Sequence, residues 1–145
     1  MLASLNKKEY ETLAIFTESG PILEFAKKLN VPTKVVLMKS AFCYGAYVSL
    51  TIRSLWKFFR YYYQTISASK KIIKQLQPDI VHLNTSVLIP HAIGIKKVGI
   101  PILWHIREAP GKNKIIRRWQ IGMIKKLSNG IVVTSNYVKN YYESG

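Results

Sequence analysis

Two short polar runs hold the side chains in this sequence that are best suited to bind a ligand or act on one. The first occupies residues 84–86 and the second residues 105–108, and each follows directly on a run of apolar residues. An arginine binds a phosphate group through paired, charge-assisted hydrogen bonds, and an imidazole can orient or polarise a polar group. The polar residues of the two runs are Asn84, Thr85, Ser86, His105, Arg107 and Glu108.

The two polar runs are predicted to lie at one edge of a parallel sheet. Residues 80–83 and 102–106 read as buried strands, and residues 87–98 between them have apolar side chains at roughly helical spacing. Gly99 ends this helix and Pro101 opens the second strand. A strand–helix–strand unit has parallel strands and a right-handed crossover, and ligands bind beyond the carboxyl ends of such strands. The pattern therefore predicts a site at this edge.

The rest of the chain repeats the alternation of strand and helix. Residues 1–6 read as the end of a helix, so the first strand of a doubly wound domain and its glycine-rich phosphate loop are expected to be missing. We predict a single α/β domain over residues 1–145, a Rossmann-like parallel sheet with helices on both faces. The further predicted strands are residues 12–16, 33–38 and 131–134, and the longest predicted helix is residues 52–76, with a gap of small residues at 67–69 that suggests a bend.

Several polar residues have a structural reading beside the functional one. Glu18 and Ser19 end the first predicted strand and are candidates for the same edge, although Ser19 also suits the cap of a helix. Ser135 follows the last strand and reads equally as a cap. In the run 84–86, a helix cap with an Asx or ST turn would account for one residue, and contact with an acceptor is the other reading for the rest. Of two further histidines, His82 in a strand is predicted to be a core residue and His91 in a helix to be structural.

Charge is the strongest global feature of the composition. The 145 residues include 22 Lys or Arg against 7 Asp or Glu, a formal net charge of +15, and no acidic residue lies between Glu24 and Asp79. Such a field attracts nucleotide phosphates, nucleic acid or an anionic membrane. The chain has one cysteine, Cys43, and no Cys/His spacing typical of zinc, so no metal is expected. No apolar run is long enough to span a bilayer, which favours a cytoplasmic location.

The segment of residues 53–63, RSLWKFFRYYY, mixes basic and aromatic side chains. Trp and Tyr favour membrane interfaces, and Lys and Arg favour anionic headgroups. One interpretation is peripheral docking to a membrane, and the alternative is a core helix whose aromatic side chains pack on the sheet. The residues predicted to face the membrane are Arg53, Trp56, Lys57 and Arg60.

An ordered set of segments, from about residue 5 to residue 145, resembles the N-terminal domain of glycosyltransferase family 4. The segments are TESGPILEFAKKLNV, PDIVHLNTS, a helix ending in KKVGIP, the strand ILWHIRE, and SNGIVVTSNYVKN. Members of that family are retaining enzymes with two domains in the GT-B fold. The resemblance implies half of that fold, with the acceptor held by this domain and the nucleotide-sugar held by a C-terminal domain that the sequence lacks.

The resemblance also implies roles for residues. His105 matches the family histidine that reaches the donor sugar or its phosphates, and the candidate substrate-binding residues are then Asn84, Thr85, Ser86, Arg107, Glu108, Glu18, Ser19 and Ser135. The implied reaction moves a sugar from a nucleotide-sugar to a polysaccharide or lipid-linked acceptor, without a metal or other cofactor. We expect the chain to be inactive alone, with a partner chain or a longer reading frame supplying the donor domain.

Other functional classes fit less well. A glycosidase needs paired carboxylates, and Glu108 has no second acid nearby in sequence. No serine-hydrolase elbow occurs. A basic, non-catalytic module that binds nucleic acid or an anionic membrane remains the alternative, although no signature of a nucleic-acid-binding fold is present.

Overall fold

The computed structural model describes residue 6 and residues 8–36, 52–108 and 113–143, in which strands and helices alternate. The chain divides into two compact units, residues 1–39 and residues 40–145. Both units contain parallel strands and helices, so the predicted α/β class is confirmed. The predicted helix at residues 1–6, apart from Asn6, and the last two residues of the predicted strand 33–38 lie outside the described residues.

The first unit is a strand–helix–strand element. β1 (Ala14–Phe16) pairs in parallel with β2 (Thr33–Val35), and α1 (Pro21–Lys28) connects them and buries Leu23. Asn30 ends the helix in the left-handed region, with φ of 53°. The residue at the N-cap is Gly20, and no side chain caps the helix. The prediction that Ser19 caps it was therefore wrong, because the helix begins one residue too late for that hydroxyl.

The second unit is built around a three-stranded parallel sheet in the order β3–β4–β5. Val81 of β3 pairs with Ile102 of β4, and Leu103 pairs with Gly130 of β5. The elements of this unit are α2 (Ile52–Leu76), β3 (Val81–Leu83), α3 (Ile89–Lys96), β4 (Ile102–Ile106), α4 (Lys114–Leu127), β5 (Gly130–Val133) and α5 (Asn136–Glu143).

The two faces of this sheet are covered unequally. Ile102, Trp104 and Ile106 alternate along β4 and are fully buried on one face. Leu103 and His105 point to the other face and are only half-buried. Successive side chains of a strand point to opposite faces, so this difference shows that one face of the sheet is covered more completely than the other. The second face therefore remains partly open to solvent.

Helix α3 packs on α2 through small residues. Gly94 of α3 lies against α2 so closely that an added Cβ would lie 2.5 Å from the carbonyl oxygen of Ile66 and 2.8 Å from Cβ of Ser69. Ser69, from the gap of small residues predicted to mark a bend, lies in this contact, and α2 runs through the gap without a break. The small side chains are needed because two helix backbones approach each other here.

No helix within residues 6, 8–36, 52–108 and 113–143 has the length and apolar character required to cross a membrane.

Candidate functional site

The two polar runs meet at the carboxyl ends of β3 and β4, as predicted from their positions after parallel strands. The carboxylate of Glu108 accepts a hydrogen bond from the hydroxyl of Thr85, 23 residues away in sequence. The same carboxylate accepts from the backbone N–H of Ser86 at 3.2 Å and from that of Arg107 at 3.3 Å. Glu108 therefore joins the loop after β3 to the loop after β4.

Two further side chains hold the loop after β3. The indole N–H of Trp104 donates to the carbonyl oxygen of Thr85 at 2.8 Å, which satisfies the polar atom of this fully buried ring. The side-chain amide of Gln120 donates to the carbonyl oxygen of Ser86 at 3.2 Å. Gln120 was missed in the sequence, although its position four residues before the buried Ile124 marks a polar residue beside an apolar stripe.

We call the five residues Thr85, Ser86, Trp104, Glu108 and Gln120 the loop clamp. The residue at the N-cap of α3 is Leu88, and no side chain caps that helix. The prediction that a residue of the run 84–86 caps it was therefore wrong, because the loop continues two residues farther before the helix begins. Within the clamp, Glu108 acts as an acceptor of hydrogen bonds, which argues against its use as a general base. Substrate contacts of Thr85, Ser86 and Glu108 stay a prediction.

Replacing Glu108 by glutamine tests the loop clamp. We expect the free energy of unfolding to fall by about 1–3 kcal/mol. The amide nitrogen of glutamine is a donor, so it would face one of the N–H or O–H donors that now bond to the carboxylate, and that donor would lose its acceptor. Urea unfolding followed by circular dichroism measures the change. The matched control is Glu143→Gln, which removes an exposed ion pair with Lys139 and should change stability by no more than about 0.5 kcal/mol. Equal effects of the two substitutions would refute the clamp.

His105, the predicted catalytic residue, lies one residue before the end of β4. Its ring stands 5.6 Å from the ring of His82, centroid to centroid. His82 pairs with Leu103, so His82 and His105 share the partly open face of the sheet. Burial, and then the neighbouring His105, lower the pKa of His82. His82 was predicted to be a core residue, but it is half-buried and neighbours the candidate site.

The remaining candidate residues follow the ends of strands in the two units. Asn84 and Arg107 are exposed directly after β3 and β4. Ser135 follows β5, and its hydroxyl accepts from the backbone N–H of Val138 at 3.3 Å, so it caps α5 as one reading predicted. Glu18 and Ser19 follow β1 and are exposed in the first unit. Their contact with a substrate stays a prediction.

His91 is buried in α3, and neither of its ring nitrogens has a hydrogen-bond partner among the described residues. Burial lowers the pKa of His91 to about 4. Its ring is therefore neutral at pH 7, and its position within the second unit's core agrees with the predicted structural role.

An aromatic groove lies between α2 and α4 in the second unit. A cavity of about 210 Å³ is lined by Phe59, Tyr62, Tyr63 and Trp119. The rings of Phe59, Tyr63 and Trp119 are exposed, so packing on the sheet does not account for them. We call these four lining residues the aromatic groove.

A cation–π contact lies on the same helix as the groove. The guanidinium of Arg60 stands 5.4 Å from the ring centroid of Trp56, and both side chains are exposed. Arg53 and Lys57, the other residues predicted to face a membrane, belong to α2, but their side chains lie outside the described part of the chain.

Comparison with solved structures places this parallel α/β arrangement among known folds. The crystal structure of MurG from Acinetobacter baumannii is similar, with a TM-score of 0.55 and 17% sequence identity over 85% of this chain. The match covers 33% of the MurG chain, so this chain spans about a third of that protein. The fold of this chain is therefore that of a Rossmann-like unit of a GT-B protein.

The chain belongs to glycosyltransferase family 4, because the model of that family, Glycosyltransferase Family 4, matches residues 12–145. The predicted family and fold are confirmed. A comparison with individually curated proteins finds no significant match.

Proposed function

We propose that this chain forms the acceptor-side part of a retaining glycosyltransferase, which moves a sugar from a nucleotide-sugar to a polysaccharide or lipid-linked acceptor. The observation that carries the proposal is the family match over residues 12–145 together with His105 at the carboxyl end of β4. In open α/β sheets this edge is where ligands bind. The nucleotide-sugar would be held by a second part, in a longer chain or in a partner chain.

The proposed chemistry rests on positioning and on electrostatic stabilisation. His105 orients or polarises groups of the transferred sugar through hydrogen bonds, and Arg107 binds the departing diphosphate. Asn84 and Ser135 contact the acceptor from the ends of β3 and β5, the strands on either side of β4. The loop clamp joins the loop after β3 to the loop after β4, the strand that carries His105. Neither a metal nor another cofactor takes part in the transfer.

Replacing His105 by alanine in the enzyme assembled with its donor-binding part tests the proposal. We expect the rate of transfer to fall roughly 100-fold, since removing one preorganised hydrogen-bonding group at a reacting centre typically has that effect. The measurement is release of nucleoside diphosphate from a panel of nucleotide-sugars, with EDTA expected to leave the rate unchanged. Lys126→Ala, an exposed position on α4, is the control. A His105→Ala enzyme as active as this control would contradict the proposal.

We also propose that the aromatic groove and the Trp56–Arg60 pair dock the protein to the anionic cytoplasmic face of a membrane. Exposed Trp and Tyr rings next to basic side chains favour the interface between headgroups and acyl chains. The groove supports this reading because its apolar rings face solvent at the helix that carries Arg60. A location at that face would bring a lipid-linked acceptor to the enzyme.

Flotation with liposomes that contain phosphatidylserine tests membrane docking. We expect binding at low salt that weakens at high salt, and a roughly fivefold loss of partitioning for Arg60→Ser, because each basic residue contributes about 1 kcal/mol near an anionic surface. Trp56→Ser should weaken binding further, and Glu143→Gln serves as the unaffected control. Salt-sensitive retention on DNA without liposome binding would instead favour the nucleic-acid alternative.

A further inference from the structure

His82 and His105 are paired in a way that the transfer reaction does not require. The two imidazoles come from neighbouring strands, share the partly open face of the sheet, and stand 5.6 Å apart. They face a part of the sheet where cover is thin, since Val132, which pairs with His105, is 44% exposed. Both rings are half-buried, so they are accessible to a small ligand and partly shielded from bulk water.

Within the described ranges, neither imidazole of this pair makes a hydrogen bond to another residue, in contrast to the neighbouring Trp104 and Glu108. A neutral imidazole is the most common protein ligand of zinc and related ions.

The spacing of the rings matches two ligands of one ion. A Zn–N bond of about 2.0–2.1 Å places the centroid of a coordinated imidazole about 3.2 Å from the ion, so two rings on a tetrahedral ion stand roughly 5 Å apart. The separation increases slightly as the angle at the ion opens, which brings it to the observed 5.6 Å.

We propose that His82 and His105 together bind one Zn²⁺ ion on the open face of the sheet. Within the part of the chain that the structure describes, no three side chains of His, Cys, Asp or Glu are grouped to hold an ion. Water therefore completes the coordination, which makes the site exchangeable, unlike a closed structural zinc site.

The ion would act as an inhibitor of the transfer, and this consequence rests on the proposed function. Zinc on His105 occupies the nitrogen that is assigned to the sugar or its phosphates, so bound zinc and bound donor exclude each other. His82 has no role in the transfer itself under this scheme. Its role is to bind the ion together with His105.

Zinc titration of the full chain, free of any affinity tag, tests the site. Every sample carries Cys43→Ser, because a thiolate would otherwise bind zinc independently. We expect shifts of the imidazole signals of His82 and His105 in NMR spectra, and a loss of affinity of about tenfold or more by calorimetry for either His82→Asn or His105→Asn. Loss of a residue that only orients a metal ligand already weakens metal binding by about 10–100-fold. His91→Leu is the matched control, which should bind zinc as the parent does.

The outcomes separate cleanly. Unchanged affinity in both asparagine variants, or imidazole signals that do not respond to zinc, would overturn the site. If one variant fails to fold by circular dichroism, the other variant and the signals of the parent protein still decide. Zinc inhibition of transfer that His82→Asn relieves supports the inhibitory role. If His105→Ala abolishes transfer but the parent protein does not bind zinc, the proposed function stands and the zinc site is rejected.

Discussion

Replacing Gly94 by alanine is expected to lower the free energy of unfolding by about 3 kcal/mol, at the upper end of what overpacking causes. The new Cβ would lie 2.5 Å from the carbonyl oxygen of Ile66 and 3.1 Å from the backbone nitrogen of Lys70. Both are backbone atoms of α2, so no side-chain rotation relieves the contact. Helices α2 and α3 must separate, and urea unfolding followed by circular dichroism measures the loss.

Gly122→Ala provides the matched control for this prediction. Gly122 also lies inside a helix, α4, but an added Cβ there would meet no atom within 4 Å. Alanine loses less backbone entropy than glycine on folding, so this substitution should stabilise the protein by about 0.5–1 kcal/mol. The two glycine substitutions should thus change stability in opposite directions. A Gly94→Ala protein as stable as the parent would show that α3 does not press on α2.

Stability should depend on pH through His91. The pKa of this ring is about 4 in the folded protein and 6.5 in an unfolded chain, so the unfolded chain takes up the proton first as the pH falls. The free energy of unfolding therefore decreases as the pH falls from 6.5 to about 4, and it levels off below that range. A shift of this size corresponds to about 3 kcal/mol in total.

His91→Leu isolates this contribution from the titration of the carboxylates. Leucine fills a similar volume and has no proton to take up, so the variant should lack the part of the pH dependence that His91 causes. The measurement is urea unfolding of both proteins at several pH values from 7.5 to about 4, the range that the two pKa values define. The difference between the two curves should grow as the pH falls. Parallel curves would mean that the ring of His91 either has a hydrogen-bond partner or is exposed to solvent.

The strand–helix–strand unit around the site could be predicted from sequence because its signals are local. Short apolar runs, helical spacing between them, and Gly99 and Pro101 at the junction define β3, α3 and β4. The meeting of the two polar runs then followed from the geometry of parallel strands. His105 near the end of β4 was predicted in this way.

The face on which His82 lies could not be predicted from sequence. Period-two alternation groups His82 with one face of β3, but it does not say which face the rest of the protein covers. The structure shows that the covered face is the one of Ile102 and Trp104. Cover depends on tertiary packing, and an imidazole in a strand is compatible with either environment.

The loop clamp and the contact at Gly94 depend on residues far apart in sequence. Glu108 and Thr85 are 23 residues apart, and the amide of Gln120 reaches Ser86 from α4. A glycine inside a helix reads in sequence as a weak point, whereas Gly94 lies directly against the backbone of α2. Neither contact has a local pattern that would reveal it.

A crystal structure of the enzyme with its donor-binding part and an unreactive nucleotide-sugar analogue tests the central claim most directly. The account predicts that a ring nitrogen of His105 lies roughly 3 Å from an oxygen of the sugar or the diphosphate, within hydrogen-bonding distance. A bound donor whose nearest oxygen is more than roughly 6 Å from that imidazole, too far even for one bridging water, would contradict the account.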